Sequence, residues 1–236
     1  MKLQKYFYPN LITLASLFCA FYSISETFNE HYIGSVYLIL LSALFDTLDG
    51  KVARLLHSTS DFGKELDSLV DTISFGIAPS FLIYNYLHLY NFQFGFILPF
   101  IYTACVILRL AKFNILPLNI SKRYFIGLPC PAAAISIVSV IYLQIKNYEI
   151  DNIWLILIIL ILSLLMISNI YYYSLKNLEI FIRRKKAIVT ISILLLILII
   201  AIKEPIVMFI LISLYIVSGP ARSALIKLHA HYSHIS

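Results

Sequence analysis

"DTLDGKVARLLHSTSDFGKELDSLVD", residues 46–71, is an acid-rich island in an otherwise apolar chain. It holds Asp46, Asp49, Asp61, Glu65, Asp67 and Asp71, half of the twelve acidic residues in the sequence. Apolar runs flank it, from Ile33 into Leu56 and from Leu69 to Leu89, so the acids fall at the ends of two hydrophobic helices.

Working outward, the whole chain reads the same way. It is 61% hydrophobic and 13% charged, with a mean hydropathy of +0.89, values of an integral membrane protein and not of a soluble domain. Runs long enough to cross roughly 30 Å of hydrocarbon extend over Leu11–Ile24, Ile33–Leu56, Leu69–Leu89, Phe94–Leu110, Leu128–Ile145, Ile153–Tyr171, Ala187–Ile202 and Ile206–Leu225. The fold class expected is therefore all-α, a polytopic membrane bundle of about eight transmembrane helices. The segment "KYFYPN" (residues 5–10) is expected to lie at the headgroup level ahead of the first span, with Asn10 either capping that helix or touching a ligand.

Loop charge orients the bundle. With eight spans, every Lys and Arg except Lys146 and Lys203 falls on one side, and positive charge is retained in the cytoplasm. Both termini and the acidic stretch are thus expected to face the cytoplasm, in a cell membrane. The net charge of +6 is scattered over juxtamembrane loops, "RRKK" at 183–186 included, which favours membrane lipid headgroups as counterions and excludes a nucleic-acid face. Cys19, Cys105 and Cys130 are odd in number and lie in or beside spans, so they read as small core residues without a disulfide framework. The tail "HAHYSH", with His229, His231 and His234, reads as a solvated end.

A charged side chain at the centre of a membrane helix costs about 2.5 to 3.5 kcal/mol, so carboxylates at depth are functional until shown otherwise. Each helical step turns about 100°. From Asp46, that places Asp49, Gly50 and Ala53 in one arc, two acids beside two nearly absent side chains. On the next helix Gly63, Asp67 and Asp71 repeat the arrangement at spacings of four. Converging carboxylates in a low-dielectric pocket repel one another unless cations neutralise them, and an all-oxygen set selects hard ions such as Mg²⁺, Mn²⁺ or Ca²⁺. Glycine and alanine beside the ions clear space for something bulky, and Arg54, one turn beyond Gly50, offers a fork for phosphate oxygens. These features together describe a diphosphate site at headgroup level, where paired ions stabilise the attacking and leaving oxygens of a displacement on a lipid.

The pattern Asp46-x2-Asp49-Gly50-x2-Ala53-Arg54-x8-Gly63-x3-Asp67-x3-Asp71 resembles the full signature of the CDP-alcohol phosphatidyltransferases. "DSLVDTISFGIAP" (67–79), "RLAKFN" (109–114) and "GLPCPAAA" (127–134) resemble its phosphatidylserine synthase branch, although Lys51 and Lys112 stand where that branch more often carries arginine. The resemblance covers roughly Pro9 to Ala134. It implies a catalytic core over residues 1–146, with 147–236 as additional transmembrane helices of the same membrane domain. It also implies transfer of the phosphatidyl group of CDP-diacylglycerol to the hydroxyl of L-serine with release of CMP, two Mg²⁺ or Mn²⁺ ions, and the symmetric dimers common in that family.

By position, the resemblance makes Asp46, Asp49, Asp67 and Asp71 metal ligands, Asp71 also the general base, and Gly50, Ala53, Arg54 and Gly63 the holders of the cytidine diphosphate. Arg109 reads either as the partner of the serine carboxylate or as a cytoplasmic anchor, with Asn114 shaping the same pocket; Lys112 reads as an anchor. The rival readings are the same family with a glycerol 3-phosphate or inositol phosphate acceptor, an intramembrane prenyltransferase, and a divalent-cation transporter. Transport would require polar residues along both halves of the membrane, which the later spans lack.

Overall fold

The computed structural model describes residues 2–56, 58, 60–115, 124–173 and 204–233. Its helices are α1 (Lys2–Phe28), α2 (Tyr32–Leu55), α3 (Asp61–Asp71), α4 (Ala78–Tyr86), α5 (Ile97–Ile115), α6 (Cys130–Ile145), α7 (Asn152–Ile167) and α8 (Pro205–Ser233). A π-helical turn, Thr72–Ile77, joins α3 to α4 without a break, and a single 3₁₀ turn, Leu89–Asn91, precedes α5. Two short strands, β1 (Tyr124–Ile126) and β2 (Tyr171–Tyr173), pair antiparallel.

Among the described residues, five helical stretches are long and apolar enough to cross a membrane: Phe7–Phe28, Tyr32–Leu55, Asp61–Tyr86, Ile97–Ile115 and Pro205–Ser223; Cys130–Ile145 and Asn152–Ile167 are shorter apolar helices. Seven of the eight expected spans therefore have a helical counterpart, and the eighth, Ala187–Ile202, lies outside the described residues, as does the "RRKK" cluster. The protein is an all-α polytopic membrane protein.

Several expected boundaries change. α1 begins at Lys2 and carries Pro9 within it, so "KYFYPN" is already helical, and Asn10 is an interior residue and not a cap. Pro9 is tolerated near the helix start, and the Thr13 hydroxyl donates to its carbonyl over 3.1 Å. The span expected to run to Tyr171 stops at Ile167, because Tyr171–Tyr173 turn away to pair with β1, a use that suits aromatic residues. α5 starts three residues later than expected and runs one turn further, which puts Arg109 six residues inside it. The α8 helix continues through positions 229 and 231.

Helix α6 is the centre of the bundle, packed against α2, α4, α7, α8 and the π turn. It buries every residue from Ser136 to Leu143, and Ala132, Ala133 and Ala134 let its neighbours approach closely. Hydroxyl groups bind helix to helix where no hydrophobic force separates protein from lipid: Ser16 and Ser42 each donate to the other's carbonyl, over 2.9 and 3.1 Å, and the Tyr37 and Tyr142 hydroxyls meet at 2.8 Å. Left-handed residues Glu30, His88 and Asn147 close the ends of α1, α4 and α6. The acids gather at the opposite end of the bundle.

Candidate active site

The carboxylates come together. Asp46 and Asp49 from the second half of α2 and Asp67 from α3 each place one oxygen within 4.8 Å of the others, a group able to hold a cation. The two helix faces inferred from the 100° spacing therefore do converge. Asp49 is the deepest, 5% exposed, and its Oδ2 makes no hydrogen bond although it is buried. Thr13 of α1 faces the same carboxylate. An orphaned buried oxygen beside two further carboxylates fits an oxygen-seeking divalent ion, which would supply the missing partner.

Asp71 lies one helical turn beyond Asp67 and stands outside that close group. It faces Asp46 at hydrogen-bonding range, with Asp67 and Cys130 also in its electrostatic surroundings. Immediately after it the helix widens into the π turn, and hydroxyls of α5 take up that turn's carbonyls. Tyr102 donates to the Phe75 carbonyl over 2.8 Å, and Thr103 reaches the Gly76 carbonyl at 3.5 Å while sharing a 2.6 Å bond with Ser80. π turns recur at functional sites, and this one sets the direction of the helix end that carries Asp71.

The small residues keep the mouth of the site clear. A Cβ at Gly50 would meet only the Arg54 Nη1, at 3.7 Å, so packing does not demand glycine there, even though glycine inside a helix costs about 1 kcal/mol relative to alanine. Arg54 thus folds back over Gly50 while remaining exposed. The Ala53 carbonyl closes α2 by accepting from the Ser58 amide at 2.9 Å. Gly63 is different. A side chain there would press on Ser60 Oγ at 3.1 Å and Asn10 Oδ1 at 3.4 Å, so glycine allows α3 to sit close to α1. The Ser60 hydroxyl caps α3 by accepting from the Gly63 amide over 3.0 Å.

Arg109 and Asn114, expected together, are drawn to different places. Arg109 is 7% exposed. Its Nη1 donates to Cys130 Sγ at 3.5 Å, its guanidinium lies 6.0 Å from the Phe113 ring centre, and its Nε is buried without a partner. Burial to this degree is not what anchoring in a cytoplasmic loop requires. Asn114 is exposed and donates to Ser68 Oγ over 3.0 Å, next to Asp67. Lys112 donates to Asn169 over 2.7 Å, fastening the end of α5 to the chain beyond α7.

Sequence reasoning passed over Thr13 and gave Cys130 no role beyond core packing. For Thr13 a signal was present, since a polar residue one turn beyond Asn10 on an apolar helix needs a partner. For Cys130 there was none, because its contact with Arg109 joins α5 and α6 across 21 residues.

Residues 6–164 match the family model described as CDP-alcohol phosphatidyltransferase. The chain is 40% identical over 187 residues to a Helicobacter pylori (strain 26695) protein named CDP-diacylglycerol–serine O-phosphatidyltransferase, a match that covers 75% of this chain and 78% of that one. Proteins of the same name are 46% identical over 147 residues in Methanocaldococcus jannaschii, covering 61% and 66%, and 34% identical over 170 residues in Bacillus subtilis, covering 72% and 91%.

Proposed function

This chain belongs to the CDP-alcohol phosphatidyltransferase family, and on that footing we propose that it moves the phosphatidyl group of CDP-diacylglycerol onto the hydroxyl of L-serine, releasing CMP and leaving phosphatidylserine. The observation that carries this reading is the oxygen cluster of Asp46, Asp49 and Asp67, with Gly50 next in sequence to Asp49 and room for a side chain at that glycine. The serine branch is supported by relatives that all bear the name of a serine phosphatidyltransferase.

Asp46, Asp49 and Asp67 would hold divalent ions, Mg²⁺ or Mn²⁺, with Asp71 completing a two-ion set. Such ions, when bound, supply charge that stabilises the diphosphate as its bonds exchange. The rest falls to the chain's own residues. Gly50 and Ala53 leave room for the cytidine diphosphate against α2, Gly63 lets α3 close on it, and Arg54 meets its phosphate oxygens at the headgroup level.

Asp71 accepts the proton of the serine hydroxyl, whose oxygen attacks the phosphorus that carries the diacylglycerol. The new oxygen–phosphorus bond forms as the bond from that phosphorus to the CMP oxygen breaks, and CMP leaves. A hydroxyl is too weakly acidic to attack unaided at neutral pH, so a carboxylate placed beside it is required. Arg109 pairs with the serine carboxylate, and Asn114 positions the α3 helix end through Ser68. With the positive residues in the cytoplasm, this end of the bundle faces the cytoplasmic leaflet, where soluble serine and CMP exchange.

The test is CMP release from CDP-diacylglycerol by the purified full-length protein with Mg²⁺ or Mn²⁺ and a panel of alcohols. Release is expected with L-serine. Release with glycerol 3-phosphate or an inositol phosphate, and none with serine, overturns the branch.

A further inference from the structure

We propose that Cys130 is a specificity-determining residue, a thiol seat that aims the Arg109 guanidinium at the carboxylate of the incoming alcohol. The inference rests on the reading that Arg109 holds that carboxylate and adds the device that presents it.

Cys130 is the first residue of α6 and is fully buried. Its Sγ receives Nη1 of Arg109 at 3.5 Å and lies 4.0 Å from the Val106 carbonyl, one turn earlier on α5. The thiol therefore spans two successive turns of α5 from the tip of α6. Its other neighbours are the acids: Asp46 and Asp71 both lie in its electrostatic surroundings. Cys130 thus lies close both to the guanidinium and to the carboxylate proposed as base, beside the space in which an amino acid would have to bridge the two.

What makes a thiol informative here is its weakness as an acceptor. Arg109 is more than nine-tenths buried, a costly place for a cation. Among the described residues no ion pair within 4.0 Å joins it to a carboxylate, its Nε has no hydrogen-bond partner, and its neighbours include Cys130, the face of Phe113 and Tyr215. A carboxylate at position 130 would neutralise the guanidinium permanently. A sulfur holds its direction and leaves its charge and remaining donors for a ligand. The start of α6 adds a positive partial charge of its own, so the unpaired cation and the helix end favour the same thing, an anion delivered with the substrate. The chemistry recognised is a small hydroxy acid whose carboxylate reaches Arg109 and whose hydroxyl reaches Asp71.

The experiment measures CMP release by the full-length enzyme with each substrate varied in turn. Cys130→Ala is expected to raise the serine KM about tenfold, with the CDP-diacylglycerol KM and the unfolding temperature unchanged. Cys130→Ser, which restores an acceptor of similar size, should return the serine KM to within about threefold of the wild type. In an Arg109→Gln background the same Cys130→Ala change should add almost nothing, since the group it seats is gone.

A wild-type serine KM in Cys130→Ala overturns the proposal and leaves the acceptor assignment standing. So does a parallel rise in both KM values with a lower unfolding temperature, the signature of a packing role. If Cys130→Ala does not fold, Cys130→Val takes its place with the same expectation. A wild-type enzyme that ignores serine removes the acceptor reading and this proposal together.

Discussion

The side-chain amide of Asn114 donates to the hydroxyl of Ser68 across 3.0 Å, joining the last turn of α5 to the residue beside Asp67. The two helices meet at the exposed rim of the acid cluster, where a neutral hydrogen bond contributes only about 1 kcal/mol. Ser68→Ala and Asn114→Ala are each expected to lower kcat less than about tenfold, and the double variant to be no worse than the more damaging single one. Steady-state CMP release checks this; additive losses would show that the two residues act separately.

Asp71→Asn keeps the shape of the side chain and removes its ability to accept a proton. Turnover should drop by about two to four orders of magnitude, the usual contribution of a positioned base, while CDP-diacylglycerol still binds. Binding of the nucleotide lipid measured beside single-turnover rates separates the two effects. An unaltered rate would remove Asp71 from the base role.

Gly50 offers a variant in which stability and activity should move in opposite directions. Gly50→Ala adds a methyl group that meets nothing nearer than Arg54 Nη1 and relieves the helix of a glycine, so the unfolding midpoint should rise by an amount worth about 1 kcal/mol. The same methyl intrudes on the nucleotide, and the KM for CDP-diacylglycerol should increase. Gly50→Leu should abolish binding in a protein that still folds. A leucine variant with normal affinity would mean the nucleotide lies elsewhere.

Chelation by EDTA should stop CMP release, and Mg²⁺ or Mn²⁺ should restore it. Zn²⁺ should not, because the donor set is oxygen only. Electron paramagnetic resonance of Mn²⁺ titrated into the protein gives a readout that does not depend on turnover: Asp49→Asn should lose the bound signal. Full activity in a metal-free preparation would contradict the assignment.

Tyr102→Phe removes the donor to the Phe75 carbonyl inside the π turn. A buried carbonyl left unpaired costs about 1–3 kcal/mol, and the turn it steadies lies directly after Asp71. The expected result is a kcat reduced more than either KM, with a modest loss of thermal stability. Equal effects on all kinetic constants would indicate general loosening instead.

The convergence of Asp46, Asp49 and Asp67 was legible because it depends on one helical period on each of two helices, and so were the seven apolar runs that lie within the described residues. The π turn was not. Its extra backbone slack is stabilised by Tyr102 and Thr103, residues of another helix, so a 3.6-residue period run through residues 61–86 misses the change of phase between α3 and α4. The strand pair escaped for a similar reason: Tyr171 reads as the end of an apolar span until β1 supplies the partner of Tyr171–Tyr173. Gly127, at φ +78° against the Met166 carbonyl, makes that turn, and its need for glycine is set by a neighbour 39 residues away. The burial of Arg109 against Cys130 was not legible either, since it depends on a contact between residues of two different helices.

The reciprocal bonds of Ser16 and Ser42 bear on how the protein is made. Each such bond within a membrane contributes about 0.6 kcal/mol, and the pair closes α1 on α2 using residues that emerge from the ribosome before position 43. The first hairpin can thus be joined in the bilayer while the remainder is still being translated. Its half of the cluster stays incomplete until the segment bearing Asp67 is inserted. A hairpin made of α1 and α2 alone carries two of the three clustered carboxylates.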